Sequence, residues 1–141
     1  MNEPMPSETA SGLVTLPAHG TVDAVVDRLR TAATEAGHHV FAVIDHQANA
    51  EKADMTLRPT RLVLFGRPAI GTRLMQDRQT AGIDLPSKVL VWQDEHGETQ
   101  LTFSTGTWLA NRHGLKTSGR ETAARLDAAV REFVTRARRP L

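Results

Sequence analysis

The tightest constraint in this chain lies between residues 87 and 104, where SKVLVWQ and ETQLTFS flank the tetrapeptide DEHG. Leu101 and Phe103 alternate with Thr102 and Ser104, the period of a half-buried strand. Gly97 is placed to take the positive φ that closes a tight connection. The pair therefore reads as a β-hairpin, and a hairpin commits the chain to a sheet with antiparallel neighbours. Val89, Leu90 or Val91 is expected to supply core contacts. A Leu→Ala change there is expected to cost about 2–5 kcal/mol if the side chain is fully buried.

The remaining segments supply partners for that hairpin. LVTLPA is a short extended run, with Pro17 marking its end or an edge position. In the next segment Val22, Val25, Val26, Leu29, Ala32, Ala33 and Ala36 recur at helical spacing. Thr21 suits its N-cap, Asp23 its first turn and Gly37 its stop. HHVFAVIDH, apolar on both faces from Val40 to Ile44, reads as a strand buried on both sides or central in the sheet, and RPTRLVLFG as another, launched after Pro59 and broken at Gly66. QANAEKADMTL is a short helix or a loop, helix formers run from Thr72 to Arg78, and TWLANRHG makes one or two helical turns. An amphipathic C-terminal helix is expected over residues 119–138, with Leu126, Val130, Phe133 and Ala137 on its apolar face. The order is a strand, a helix, four strands with a helical insertion, and a terminal helix. It predicts an α+β fold: two layers, a largely antiparallel sheet, helices on one face. Residues 1–11, polar and with two prolines, are expected to be flexible, and residues 12–141 to form a single domain.

Composition narrows the functions. With 141 residues, 40% apolar and 23% charged, the chain can bury roughly 68–70% of its unfolded surface. The absence of cysteine removes disulfides, thiolate nucleophiles and zinc–thiolate sites. The N-terminus carries two glutamates and no apolar run, and no segment approaches the roughly 18 apolar residues of a membrane span. A soluble, cytoplasmic protein without a membrane partner is expected. The net charge is +1, whereas a nucleic-acid binder usually shows a strong basic excess. From Arg112 onward eight Arg/Lys face three acids, but the arginines are interspersed with those acids and read as a solvated face. Nucleic acid is not an expected partner.

FGRPAIGTRLM spaces Gly66 and Gly71 as a phosphate loop does, but Thr72 and Arg73 follow where that loop needs lysine. Pro68 also removes an amide N–H. A strand-to-helix turn is the better reading, with the first helical amides near an incoming anion. None of the six histidines sits in an H-x-x-x-H or alternating pattern, and His38 and His39 point to opposite sides of an extended chain. No metal site is expected. No G-x-S-x-G elbow marks a nucleophile. His46, directly after Asp45 at a strand end, is the histidine best placed for a cleft.

The combination of DH after a strand, LRPTRLVLFGRP, GIDLPSKVLVW and LANRHGL resembles the domain of unknown function 302 family over roughly residues 12–115. The resemblance implies a fold like that of the TATA-box-binding protein, with a β-α-β4-α order. It carries no catalytic residue. It matches Asp45, His46, Arg58, Gly66, Pro68, Gly82, Pro86 and Lys88, and departs at Arg67, where relatives often carry Asn.

The leading expectation is a non-enzymatic domain that binds a small ligand or anion as a homodimer, with no cofactor. Its site would draw Asp45, His46, Arg67, Thr72 and Lys88 into one cleft, shaped by turns at Gly66, Pro68, Gly82 and Pro86. The alternatives are a small enzyme using His46 as general acid/base with Asp45 or Lys88, and a protein-interaction module.

Overall fold

In a computed structural model, described here over residues 9–140, the DEHG hairpin closes around Asp94. Its carboxylate accepts from the backbone N–H groups of His96 and Glu98 at 2.9 and 3.0 Å, and Gly97 takes φ +80°. The hairpin joins β4 (Ser87–Gln93) to β5 (Thr99–Ser104). The other strands are β1 (Leu13–Ala18), β2 (His39–Asp45) and β3 (Thr60–Gly66). Together they form one sheet in the order β1-β5-β4-β3-β2, antiparallel at every step. The strand β2, expected to be central or buried on both sides, is instead an edge strand with Phe41 exposed, because only β3 pairs with it. Both edges carry an irregularity: Pro17 lies in β1, and the β2–β3 register shifts between Val40 and Ala42.

Helices follow where the sequence changes period. The helix α1 (Val22–Glu35) starts at Thr21, whose hydroxyl accepts from the Ala24 N–H at 3.1 Å. The segment after β2 becomes a short helix, α2 (His46–Lys52), because Asp45 caps it. The helix α3 (Pro68–Asp77) begins four residues earlier than its helix formers suggested. Pro68 occupies the first turn, where a missing N–H costs nothing and its fixed φ favours the helix. Gly71 and Thr72 consequently lie inside the helix instead of at its start. A 3-10 turn over Gln79–Asp84 leads into β4, and α4 (Gly106–His113) follows β5. The terminal helix α5 spans Thr117–Ala137, beginning two residues before the expected bound. Gly119 does not interrupt it, since a Cβ there would lie 2.0 Å from the Asp77 carboxylate of α3. The flexible segment expected over residues 1–11 lies outside the described residues up to residue 8. Thr9 and Ser11 form a turn before β1, with their hydroxyls 2.8 Å apart.

One face of the sheet carries the core. Val14, Leu16, Val63, Phe65, Val89, Val91, Leu101 and Phe103 alternate inward and are buried with α1 and the apolar face of α5. Phe133 of α5 stands 5.8 Å from Phe65, ring centre to ring centre, in an edge-to-face contact. The helix α4 approaches α5 closely at Gly106, where a Cβ would fall 2.4 Å from the Ala123 carbonyl oxygen. The opposite face is less covered: Ile44, Leu62, Leu64, Leu90 and Trp92 are half-buried. Leu90 therefore lies outside the core that Val89 and Val91 enter, because adjacent residues of a strand face opposite ways. The basic C-terminus is tied to acids, with Arg131 on Asp127 at 2.6 Å and Arg136 on Glu35 at 2.5 Å.

This division of faces predicts unequal costs in the hairpin. Leu101→Ala is expected to destabilise the fold by about 2–5 kcal/mol, and Leu90→Ala by clearly less. Denaturant melts of the two variants check the order, and equal losses would mean that the second face is as closed as the first.

Candidate functional site

The five expected site residues do not meet in one cleft. Asp45 and His46 sit at the end of β2 that pairs with Arg61, whereas Gly66 and Arg67 lie at the other end of β3. From Arg61 to Gly66 a strand covers roughly 17 Å at about 3.4 Å per residue. Asp45 has two structural tasks at its end. Its Oδ1 accepts from the Ala48 N–H at 2.9 Å, capping α2, and lies 3.1 Å from Nη1 of Arg61. Arg61 also donates to Gln47 at 3.2 Å, so this corner locks β3 to α2. His46 is the half-buried first residue of α2.

At the opposite end, β3, α3 and the 3-10 turn border an open cleft with a cavity volume of about 610 Å³. Arg67 and Thr72 line it, as do Gly66, Pro68, Gly82 and Pro86, the residues expected to shape the turns. Lys88 belongs to a smaller neighbouring cavity of about 170 Å³ and donates to the Asp84 carbonyl at 3.1 Å. Leu85, Ser87 and Leu126 stand in the wall common to both cavities. The carboxylate of Asp84 is itself occupied: Arg112 reaches it at 3.0 Å and His113 at 2.6 Å, while Thr80 lies 3.0 Å from the other ring nitrogen of His113.

The large cavity is mainly apolar, bounded by Phe41, Leu64, Ile70, Met75, Leu85 and Leu126. Sequence reasoning missed these side chains because each also fits an ordinary core pattern. Three glycines gave a signal of another kind. Gly66, Gly71 and Gly82 all line the cavity, and none has a positive φ. A Cβ on Gly71 would meet Leu85 at 3.7 Å and Met75 at 4.0 Å, which is ordinary contact. Neither backbone conformation nor close packing demands glycine there. In a helix interior glycine costs about 1 kcal/mol relative to alanine, and here it leaves the cleft wall without the methyl group that the site could accommodate.

Arg67 is the one ionisable residue on the cavity wall among the described residues. It is exposed, precedes α3 without capping it, and has no acidic partner among the described residues. Its guanidinium lies against Gly37, beside His38. His38 is buried between aromatic rings, 4.9 Å from Phe133 and 6.1 Å from Phe65, and its Nδ1 has no hydrogen-bond partner among the described residues. Burial, reinforced by the positive charge of Arg67, holds the His38 pKa below its ordinary value. The neighbouring His39 is exposed, in keeping with the opposite orientations expected of the pair.

The sequence pattern of the family described as Domain of unknown function DUF302 matches residues 14–133. The chain belongs to that family. A crystal structure of an uncharacterized conserved DUF302 protein from Bacillus stearothermophilus superposes with a TM-score of 0.82, covering 92% of this chain and all of that one. At 18% identity this likeness establishes the fold alone. Two curated relatives, the fluoride-specific ion channel FluC 1 of Brucella suis and that of Brucella abortus, are each 41% identical over 132 residues, or 94% of this chain. The match spans 49% and 46% of their lengths, so the chain covers about half of each. No helix among the described residues is long and apolar enough to cross a membrane.

His38 yields a pH prediction. Its folded pKa is depressed, so the unfolded state binds the proton first. Its contribution to stability is complete above the ordinary histidine value of 6.5 and declines as pH falls through it, levelling off below the folded pKa. The melting temperature is expected to drop less between pH 8 and pH 5 in His38→Leu than in the unaltered protein. Parallel drops would remove His38 from the cause.

Proposed function

We propose that this domain is a non-enzymatic binding module that holds a small molecule in the cavity between β3, α3 and the 3-10 turn. The observation that carries the reading is Gly71: a glycine within α3, unforced by φ or close packing, on the wall of a mainly apolar open cleft. A volume of about 610 Å³ suits a small-molecule site, as do mainly apolar walls with few polar groups. Among the described residues the walls offer no acid–base chemistry, because Arg67 is the one ionisable group there and a guanidinium does not give up its proton. Thr72 and Ser87 have no base among the cavity-lining residues to activate them. The enzyme alternative centred on His46 would work at the other end of the sheet, away from this enclosure.

The test uses a neutral apolar dye, N-phenylnaphthylamine, followed by fluorescence. The unaltered protein is expected to bind it. Gly71→Leu, which projects a side chain between Leu85 and Met75, is expected to abolish binding while leaving the fold intact. Gly71→Ala should raise stability by about 0.5–1 kcal/mol and weaken the dye. Undiminished dye binding in Gly71→Leu would place the dye elsewhere and defeat the reading.

We also propose that two copies pair through the less covered face of the sheet. Ile44, Leu62, Leu90 and Trp92 present half-buried apolar surface there. Trp92 is held in place by its indole N–H, which donates to Thr102 at 2.9 Å, and Thr102 in turn meets Thr15 at 2.8 Å. A net charge of +1 gives two copies little mutual repulsion, and sheets stack face to face at about 10 Å. Light scattering is expected to give twice the chain mass at micromolar concentration and the chain mass for Leu62→Glu. A unaltered protein that stays at the chain mass would refute pairing.

A further inference from the structure

The cavity has a chemical polarity that narrows its ligand, an inference that rests on the binding reading above. Its walls are apolar nearly throughout, its only charge is positive, and no carboxylate lines it among the described residues. The acids nearest in sequence are already engaged. Asp77 accepts from the Lys116 N–H at 2.8 Å, and Asp84 is held by Arg112 and His113. Arg67 therefore meets solvent at this end of the sheet without a compensating charge.

We infer that the cavity takes an amphipathic monoanion: an apolar body against Ile70, Met75, Leu85 and Leu126, with its acidic head paired to Arg67. The two halves of the argument are independent. The apolar walls reward removal of hydrocarbon from water in proportion to area. They also penalise a buried charge or polar group without a partner, so a ligand that is charged along its length is rejected. Arg67 adds a planar donor fork matched to carboxylate or phosphate oxygens. The exposure of Arg67 puts the head at solvent, where its charge stays hydrated on one side. A dication or a quaternary ammonium finds no counter-charge on these walls. A short anion such as acetate finds the arginine but leaves the apolar enclosure unfilled.

Competition against bound N-phenylnaphthylamine tests the inference, with dodecanoate, dodecanol, dodecyltrimethylammonium and acetate as competitors below micelle-forming concentrations. Dodecanoate is expected to displace the dye at least about tenfold more effectively than dodecanol, the size expected of one charge-assisted pair. The ammonium should be weaker still, and acetate without effect. Arg67→Gln is expected to erase the advantage of dodecanoate over dodecanol, read as the ratio of the two competitors within the same variant. Arg67→Lys should restore part of it. If dodecanol competes as well as dodecanoate in the unaltered protein, the inference falls and the binding module stands. A preference for dodecanoate that survives in Arg67→Gln also overturns it, by placing the charge recognition elsewhere. If the dye and every competitor fail to bind, both readings fall together.

Discussion

The contact on which the other packing depends is the mutual edge-to-face packing of Phe133, Phe65 and His38. An aromatic ring from the last helix meets one from β3 and one from the turn after α1, so three distant segments share a single packing unit. Edge-to-face rings contribute beyond their buried area, and their geometry fixes how α5 lies across the sheet. Seven residues earlier on the same apolar face, Leu126 arrives at the wall between the two cavities. Arg28 of α1 then donates to the Ala137 carbonyl at 2.9 Å, holding the far end of α5 down. The cavity is a by-product of this arrangement. With α5 fixed by its aromatic anchor, α3 and the 3-10 turn border the space beside it, with Gly71 and Gly82 on its wall.

Much of the fold was legible because it rests on local periodicity. The β4–β5 hairpin, the two-layer α+β design and the apolar face of α5 all follow from alternation or helical spacing, and the structure has each of them. Boundaries were less legible where two local signals compete. At α3 the glycine at position 71 reads as an interruption, yet Pro68 had already set the first turn. Leu90 shows the limit of reading a strand as uniformly buried, since a terminal sheet layer closes only one face.

The candidate site was half legible for a physical reason. Arg67, Thr72 and the four turn residues are close in sequence or joined by a single element, so local reasoning could group them. Asp45 and His46 were grouped with them because strand ends gather side chains, but a strand has two ends. In an antiparallel sheet, the end of β2 lies beside the start of β3, far from where β3 finishes. Which polar residues are already engaged was equally hidden. The cap on α2 and the ion pair to Arg61 both engage Oδ1 of Asp45, and neither can be read from residue types alone.

The irregular edges of the sheet have a consequence for the behaviour of many chains together. An edge strand with a continuous row of free amides and carbonyls is a template onto which further strands add. Here Pro17 removes one donor from the β1 edge, and the displaced register around Phe41 bends the β2 edge out of line. A newly made copy meeting an old one finds neither border suited to strand addition.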